Sequence, residues 1–298
     1  MSPAISMPAR REPPVQLRFS EKRLRSADDL IRQFRLWFPT TRWMFRGHAK
    51  SRWLPTSSLD RYCTEYGFPA RDKAVVESFL LQDFYRHLPA QEPGHPPTSD
   101  LQVLLAMMQH HGTPTRLIDW TYSPYIAAYI ALEMAKGEAA IWALNGEWLQ
   151  REANRVVPQA APHLPRPSLY DHSRDSETFL RLFMPQLMRQ PARPAGFVYT
   201  VNPLLLNRRL SIQQGVFTAV GDVTKSFVAN LARYKGTREN LVKVVIEREV
   251  GREVLSMLHR MGINRASLLP GLDGFAWSLR TKMHALRETR NRIQPWPS

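Results

Sequence analysis

One cysteine, Cys63, stands in a chain of 298 residues, so neither a disulfide framework nor a cysteine-based zinc site within one chain is expected. Acidic residues are scarce beside basic ones, 26 Asp and Glu against 41 Lys and Arg, for a formal charge of +15. Lysine itself is rare, 8 against 33 arginines, a bias that a GC-rich genome produces as readily as a ligand does. No apolar run approaches the roughly 20 residues of a membrane span. The opening MSPAISMPARREPP lacks the apolar segment of a secretory signal. The dinucleotide fingerprint G-x-G-x-x-G, the Walker loop, the G-x-S-x-G elbow and H-E-x-x-H are missing too. Acids are scattered, and the adjacent His110 and His111 have no third ligand at zinc spacing, so no metal is expected. The expectation is a cytoplasmic protein with no membrane association.

What is present suffices for a core: 43% of residues are hydrophobic. At roughly 100–200 residues per domain the length fits one large domain or two fused ones. Residues 1–20 carry four prolines and read as a flexible basic arm, with 21–298 as a single domain. Pro158, Pro162, Pro165 and Pro167 mark residues 156–170 as an internal linker or long surface loop. The positive balance attracts polyanions, which makes DNA or RNA the expected macromolecular partner.

Periodicity and breakers predict mixed α/β or α+β. Ser26 with Asp29 has capping-box spacing, ahead of Leu30, Ile31, Phe34, Trp37 and Phe38. Trp43–Phe45 predicts a strand ending at Arg46-Gly47. A helix over 71–88 would present Val75, Val76, Phe79, Leu80 and Phe84 on one face, and Pro89–Thr98 a loop. Ser99 to Met108 predicts a helix closed by Gly112, and Thr115–Trp120 a strand. Ser123-Pro124 starts a helix running to Lys136, and a strand follows at 139–144. Further strands are expected at 196–201, 215–220 and 241–248, and helices at 223–234, 251–261 and 272–290.

Three clusters concentrate polar and aromatic groups beside breakers. In Phe45-Arg46-Gly47-His48, glycine would let a ligand approach the backbone while Arg46 grips a phosphate through two N–H groups. Alternatively, Arg46 pairs with an acid such as Asp119 and joins two elements. The tract Gln109–Pro124 gathers hydroxyls, imidazoles, Asp119, Trp120 and Tyr122 around a helix start that favours anions. Thr121 and Ser123 in it are equally readable as a helix cap. Gln213-Gln214, entering the apolar stretch Gly215–Thr218, would read an amide or a base edge, or form a polar strand edge.

Phe45-Arg46-Gly47, the tract Gln109–Ser123, Gln213–Phe217 and the later Gly262-Ile263 with Ser267–Gly274 resemble the recurring motifs of the FRG domain family over roughly residues 40–280. That family's function is poorly defined. More distantly, Arg46-Gly47, Thr115–Ser123 before Ala127-Ala128, and Gln213-Gln214 are similar in order to the motifs of ADP-ribosyltransferases. That resemblance implies a split-sheet core with flanking helices. It also implies NAD as substrate and transfer of ADP-ribose to an acceptor, expected to be nucleic acid, in the setting of a toxin or anti-phage effector. By the same resemblance Arg46, Gly47, His48, Trp120, Thr121, Tyr122, Ser123 and Tyr125 would bind NAD, and Gln213, Gln214 and Asp119 would be catalytic. The family's usual Glu is replaced by Gln-Gln-Gly, and Asp119 would supply the charge if it faces the same cleft. The alternative is a non-catalytic module that binds nucleotide or nucleic acid.

Overall fold

A computed structural model describes residues 19–37, 43–92, 101–160, 196–202 and 208–285. Among these residues seven strands form one mixed sheet: β1 Ser20–Leu24, β2 Trp43–His48, β3 Leu117–Thr121, β4 Ala139–Asn145, β5 Val198–Val201, β6 Gly215–Val220 and β7 Leu241–Ile246. Their order is β1-β7-β4-β2-β3-β6-β5. Only β1 and β7 pair parallel; the other neighbours are antiparallel. The longer helices are α1 Ala27–Trp37, α2 Ser58–Glu65, α3 Lys73–Gln91, α4 Leu101–His110, α5 Pro124–Leu132 and α6 Gly146–Ala160. They continue with a five-residue α7, Arg208–Ile212, then α8, Arg248–Arg260, and α9, Leu272–Ala285. The class is α+β, as composition and periodicity predict.

Strand alternation sorts the core onto two faces. On β4, Trp142 and Leu144 enter one apolar cluster with Leu105 and Met108 of α4 and Leu149 of α6. Ala139, Ile141 and Ala143 enter the other, with Phe34 of α1, Ala127 of α5 and Val254 of α8. The strand AAIWALN is buried throughout, as a central strand covered on both faces must be.

The join between β2 and β3 is the narrow point of the sheet. β2 runs beside β4 from Trp43 opposite Asn145 to His48 opposite Ala140, yet meets β3 only at Phe45 opposite Thr121. Continuing that ladder would set Gly47 opposite Asp119; instead the strands part there.

Helix starts follow local chemistry. Ser26 Oγ accepts from the Asp29 amide at 3.1 Å, and Asp29 Oδ2 accepts from the Arg25 amide at 3.0 Å. Ser123 Oγ accepts from Ile126 N at 3.3 Å with Pro124 in the first turn of α5. Gly112, at φ +86°, follows α4 where a left-handed residue is required.

Other expectations need correction. Residues 73–88 do form the body of α3, with 71 and 72 in a 3-10 turn ahead of it, but Val75 and Phe79 are 59% and 67% exposed. The buried positions are Ala74 and Glu77, because Glu77 receives the interior Arg116 and turns the helix onto that ion pair. Pro89 lies within the last turn of α3 rather than in a loop. The expected helix over 223–234 shrinks to Phe227–Asn230 and a 3-10 turn, Leu231–Arg233. Asp222 Oδ1 accepts from Thr224 N, and Asn230 Nδ2 donates to the carbonyls of Asp222 and Ser226, so side chains compete with the helical ladder. Residues 156–160, assigned to a linker, complete α6 with Val156 and Val157 buried. Ser20, assigned to the arm, begins β1, whose SEKRL has no apolar alternation to reveal it. The rest of the arm and linker, Ser99, and residues 286–290 of the last helix lie outside the described residues. Among the described residues no helix is long and apolar enough to cross a membrane.

Candidate functional site

A cleft of about 300 Å³ opens where β2 and β3 part. Register explains its floor. Phe45 lies opposite Thr121 and Thr121 opposite Gly215, while Asp119 lies opposite Phe217, so these residues share one face. Arg46, Gly47, Trp120 and Gln213 also line it, with Gln109 and His110 from α4, Ile130 from α5, and Arg209 and Leu210 from α7.

Arg46 spans the gap. Its Nη1 donates to the Asp119 carbonyl at 2.6 Å, satisfying an acceptor that the parted ladder leaves open, and lies 3.6 Å from Asp119 Oδ2. Its Nε donates to His48 Nε2 at 3.0 Å, so the His48 proton sits on Nδ1, 3.1 Å from the Trp53 carbonyl. The Arg46 side chain is 16% exposed, and burial lowers its pKa despite the opposing pull of Asp119. His48 is pushed down to about 4, first by burial and then by Arg46, and is neutral at pH 7.

Asp119 is the one carboxylate of the lining, and its side chain is 54% exposed. Gln109 Nε2 donates to Asp119 Oδ2 at 2.8 Å. The amide is oriented because Gln109 Oε1 accepts from Ser58 and Thr115 hydroxyls, each at 2.8 Å. His110 is lowered by burial, then by His111 and Arg209.

The residues named from sequence divide. Arg46, Gly47, Asp119, Trp120, Thr121 and Gln213 line the cleft; His48, Tyr122, Ser123, Tyr125 and Gln214 do not. Arg46 sits inside β2, not at its end. The space beside Gly47 is taken by α5 rather than left for a ligand: a Cβ there would lie 2.2 Å from the Ala127 carbonyl oxygen. Trp120 borders the cleft, but the residue is 3% exposed and its Nε1 donates to Thr218 Oγ1 at 2.9 Å. Its ring packs near Phe227 and is not placed to sandwich a ligand. Thr121 Oγ1 donates to the Gln213 carbonyl at 2.6 Å and accepts from Ser123 N at 3.0 Å. Ser123 is the cap of α5, and Tyr125 stands edge-on to Phe34.

The glutamines lead into β6, as the strand expected at 215–220 implies. Gln213 Nε2 donates to the Leu268 carbonyl at 3.2 Å. Gln214 is exposed at φ +47°, a left-handed turn whose carbonyl accepts from Tyr122 N at 3.0 Å.

Gln109, His110, Gly215 and Phe217 fell inside the sequence clusters without a role. Arg209 and Ile130 had no local signal. Arg209 lies in a short, unpredicted helix, and Ile130 looks like any apolar residue of α5. Among the described residues no group of three or more His, Cys, Asp or Glu is placed to hold a metal ion.

No curated protein and no solved structure matches the chain. The motifs at Gln213–Phe217 and Gly262–Gly274 lie beyond the stretch that a family model matches. That stretch, residues 41–139, spans β2 through α5 to the first residue of β4, and the model it matches is that of the FRG domain.

Proposed function

We propose that the cleft between β2 and β3 binds NAD and that the chain transfers ADP-ribose from it to a nucleic acid. The supporting observation is the half-exposed Asp119 carboxylate held beside the partly buried Arg46 in one cleft. Arg46 is anchored through Nε and Nη1, while its Nη2 has no hydrogen-bond partner among the described residues and is available to an anion. A pyrophosphate suits that donor.

In the transfer the bond from ribose C1′ to the nicotinamide nitrogen breaks, and its electron pair leaves with neutral nicotinamide. The oxocarbenium-like sugar gains positive charge, and a carboxylate already fixed by Gln109 stabilises that charge more than it stabilises bound NAD. The acceptor's lone pair then closes on C1′, and its proton passes to Asp119 or to water. Gln213 and Gln214 lose the central role in this reading: one amide is tied to Leu268, and the other lies outside the cleft.

Nucleic acid is the favoured acceptor because of the +15 charge. Incubating the protein with NAD labelled in its ADP-ribose portion, together with DNA, RNA or protein, tests the reading. Labelled nucleic acid and free nicotinamide, both lost in Asp119→Asn, are the expected result. Saturable NAD binding without nicotinamide release would leave a non-catalytic nucleotide-binding module.

A further inference from the structure

The cleft is lopsided in charge. Two guanidiniums, Arg46 and Arg209, and the His110 imidazole face one carboxylate. Asp119 is already engaged by Gln109 and by Arg46. Arg209 is exposed, and its guanidinium makes no ion pair or hydrogen bond among the described residues. It nonetheless lies near enough to His110 to disfavour its protonation.

Unpaired surface arginines are common on so basic a chain, but the backbone that carries Arg209 is fixed onto the cleft wall. The Arg209 carbonyl accepts from Gln213 N at 2.9 Å. The Gln213 carbonyl accepts from Thr121 Oγ1, and the Gln214 carbonyl from Tyr122 N, which ties the end of α7 to the end of β3. Leu210 packs into the space beside Gly215, where a Cβ would lie 2.1 Å from Leu210 Cδ1. A fixed backbone thus holds an unneutralised cation at a cleft whose other arginine also has spare donors.

We infer that Arg209 and Arg46 together form a diphosphate-binding pair, which grips the pyrophosphate of a dinucleotide. This rests on the reading of the cleft as an NAD site and adds a second arginine of its lining. Two guanidiniums match the two charges of a pyrophosphate, and planar N–H forks fix its orientation as ammonium groups do not.

Titration calorimetry with ADP-ribose, ADP and adenosine separates phosphate recognition from ring recognition. The native chain is expected to bind both phosphorylated ligands and to bind adenosine much more weakly. Arg209→Ala should weaken ADP-ribose and ADP by about tenfold or more, the loss of a charge-assisted contact, with adenosine unchanged. Arg209→Lys should recover part of that loss. Arg208→Ala, at an exposed neighbour outside the lining, should change nothing. Unaltered ADP binding in Arg209→Ala, or an equal drop in Arg208→Ala, would overturn the pair, as would a native chain that does not bind ADP. ADP binding that depends on Arg209, without nicotinamide release from NAD, would reject the transfer reaction and leave the pair standing. Thermal melts of each variant exclude unfolding as the cause, since both side chains are exposed.

Discussion

Arg46 Nη1 meets the backbone carbonyl of Asp119 at 2.6 Å across the gap where two neighbouring strands stop pairing. A side chain thereby replaces a rung of the ladder and opens a cleft without orphaning the carbonyl. The Asp119 carboxylate is the looser partner, 3.6 Å from the same nitrogen and half in solvent. Asp119→Asn should therefore cost about 1 kcal/mol of stability or less, as exposed pairs do. Under the proposed function, ADP-ribosyl transfer should fall roughly 100-fold or more. Urea denaturation and nicotinamide release measured on the same variant check both. A large stability loss would make Asp119 a structural partner of Arg46, and unchanged turnover would remove it from catalysis.

His48 makes stability depend on pH. It is neutral when folded, with its pKa held at about 4 by burial and by Arg46, against an ordinary value of 6.5. Between those values the unfolded chain binds more protons, so acid favours unfolding. The contribution is fully present above pH 6.5 and is lost as pH falls toward 4, amounting to about 3 kcal/mol. Urea midpoints across pH 4–7 should fall with acid in the native chain. The slope should be shallower in His48→Gln, which has no proton to gain; equal slopes would contradict it.

Gly47 is required by packing. A Cβ would stand 2.2 Å from the Ala127 oxygen and 2.5 Å from the Ala131 nitrogen, both helix backbone that cannot rotate aside. Gly47→Ala should push α5 off β2 and destabilise by about 1–3 kcal/mol, the usual cost of overfilling a core. A melting temperature equal to that of the native chain would show that the helix yields freely.

Arg116 and Glu77 form the deepest ion pair described, with side chains 1% and 0% exposed. Arg116 Nε donates to Glu77 Oε2 at 2.7 Å, and its backbone N donates to Oε1 at 2.8 Å. Glu77→Gln removes the carboxylate that the guanidinium is hydrogen-bonded to and should cost about 3–5 kcal/mol. Replacing both by apolar residues of similar volume should recover much of that loss. Denaturation of the single and double variants measures it; a single variant as stable as the native chain would refute the role.

Segments whose own residues carry the instruction are legible in the sequence alone. Ser26 and Ser123 announce helices because their hydroxyls cap the next turn, wherever the helix lies. The apolar run Gly215–Val220 reads as a strand with its observed bounds. For the site, Arg46, Asp119, Thr121 and Gln213 were visible as polar groups beside breakers, and a resemblance ordered them. Their roles were not visible. Asp119 faces Phe217 and Thr121 faces Gly215 through strand register, a relation between segments about a hundred residues apart. Trp120 alternates into the core between them, so it differs in role from its immediate neighbours. Glu77 turns α3 only because Arg116 arrives from the position just ahead of β3. Arg209, in a five-residue helix without periodicity, becomes a cleft residue only when Gln213 and Gln214 tie it to β3. Capping and alternation act within a few residues and can be read along the chain. Charge pairing and strand register join distant segments, and they exist only once the sheet has closed.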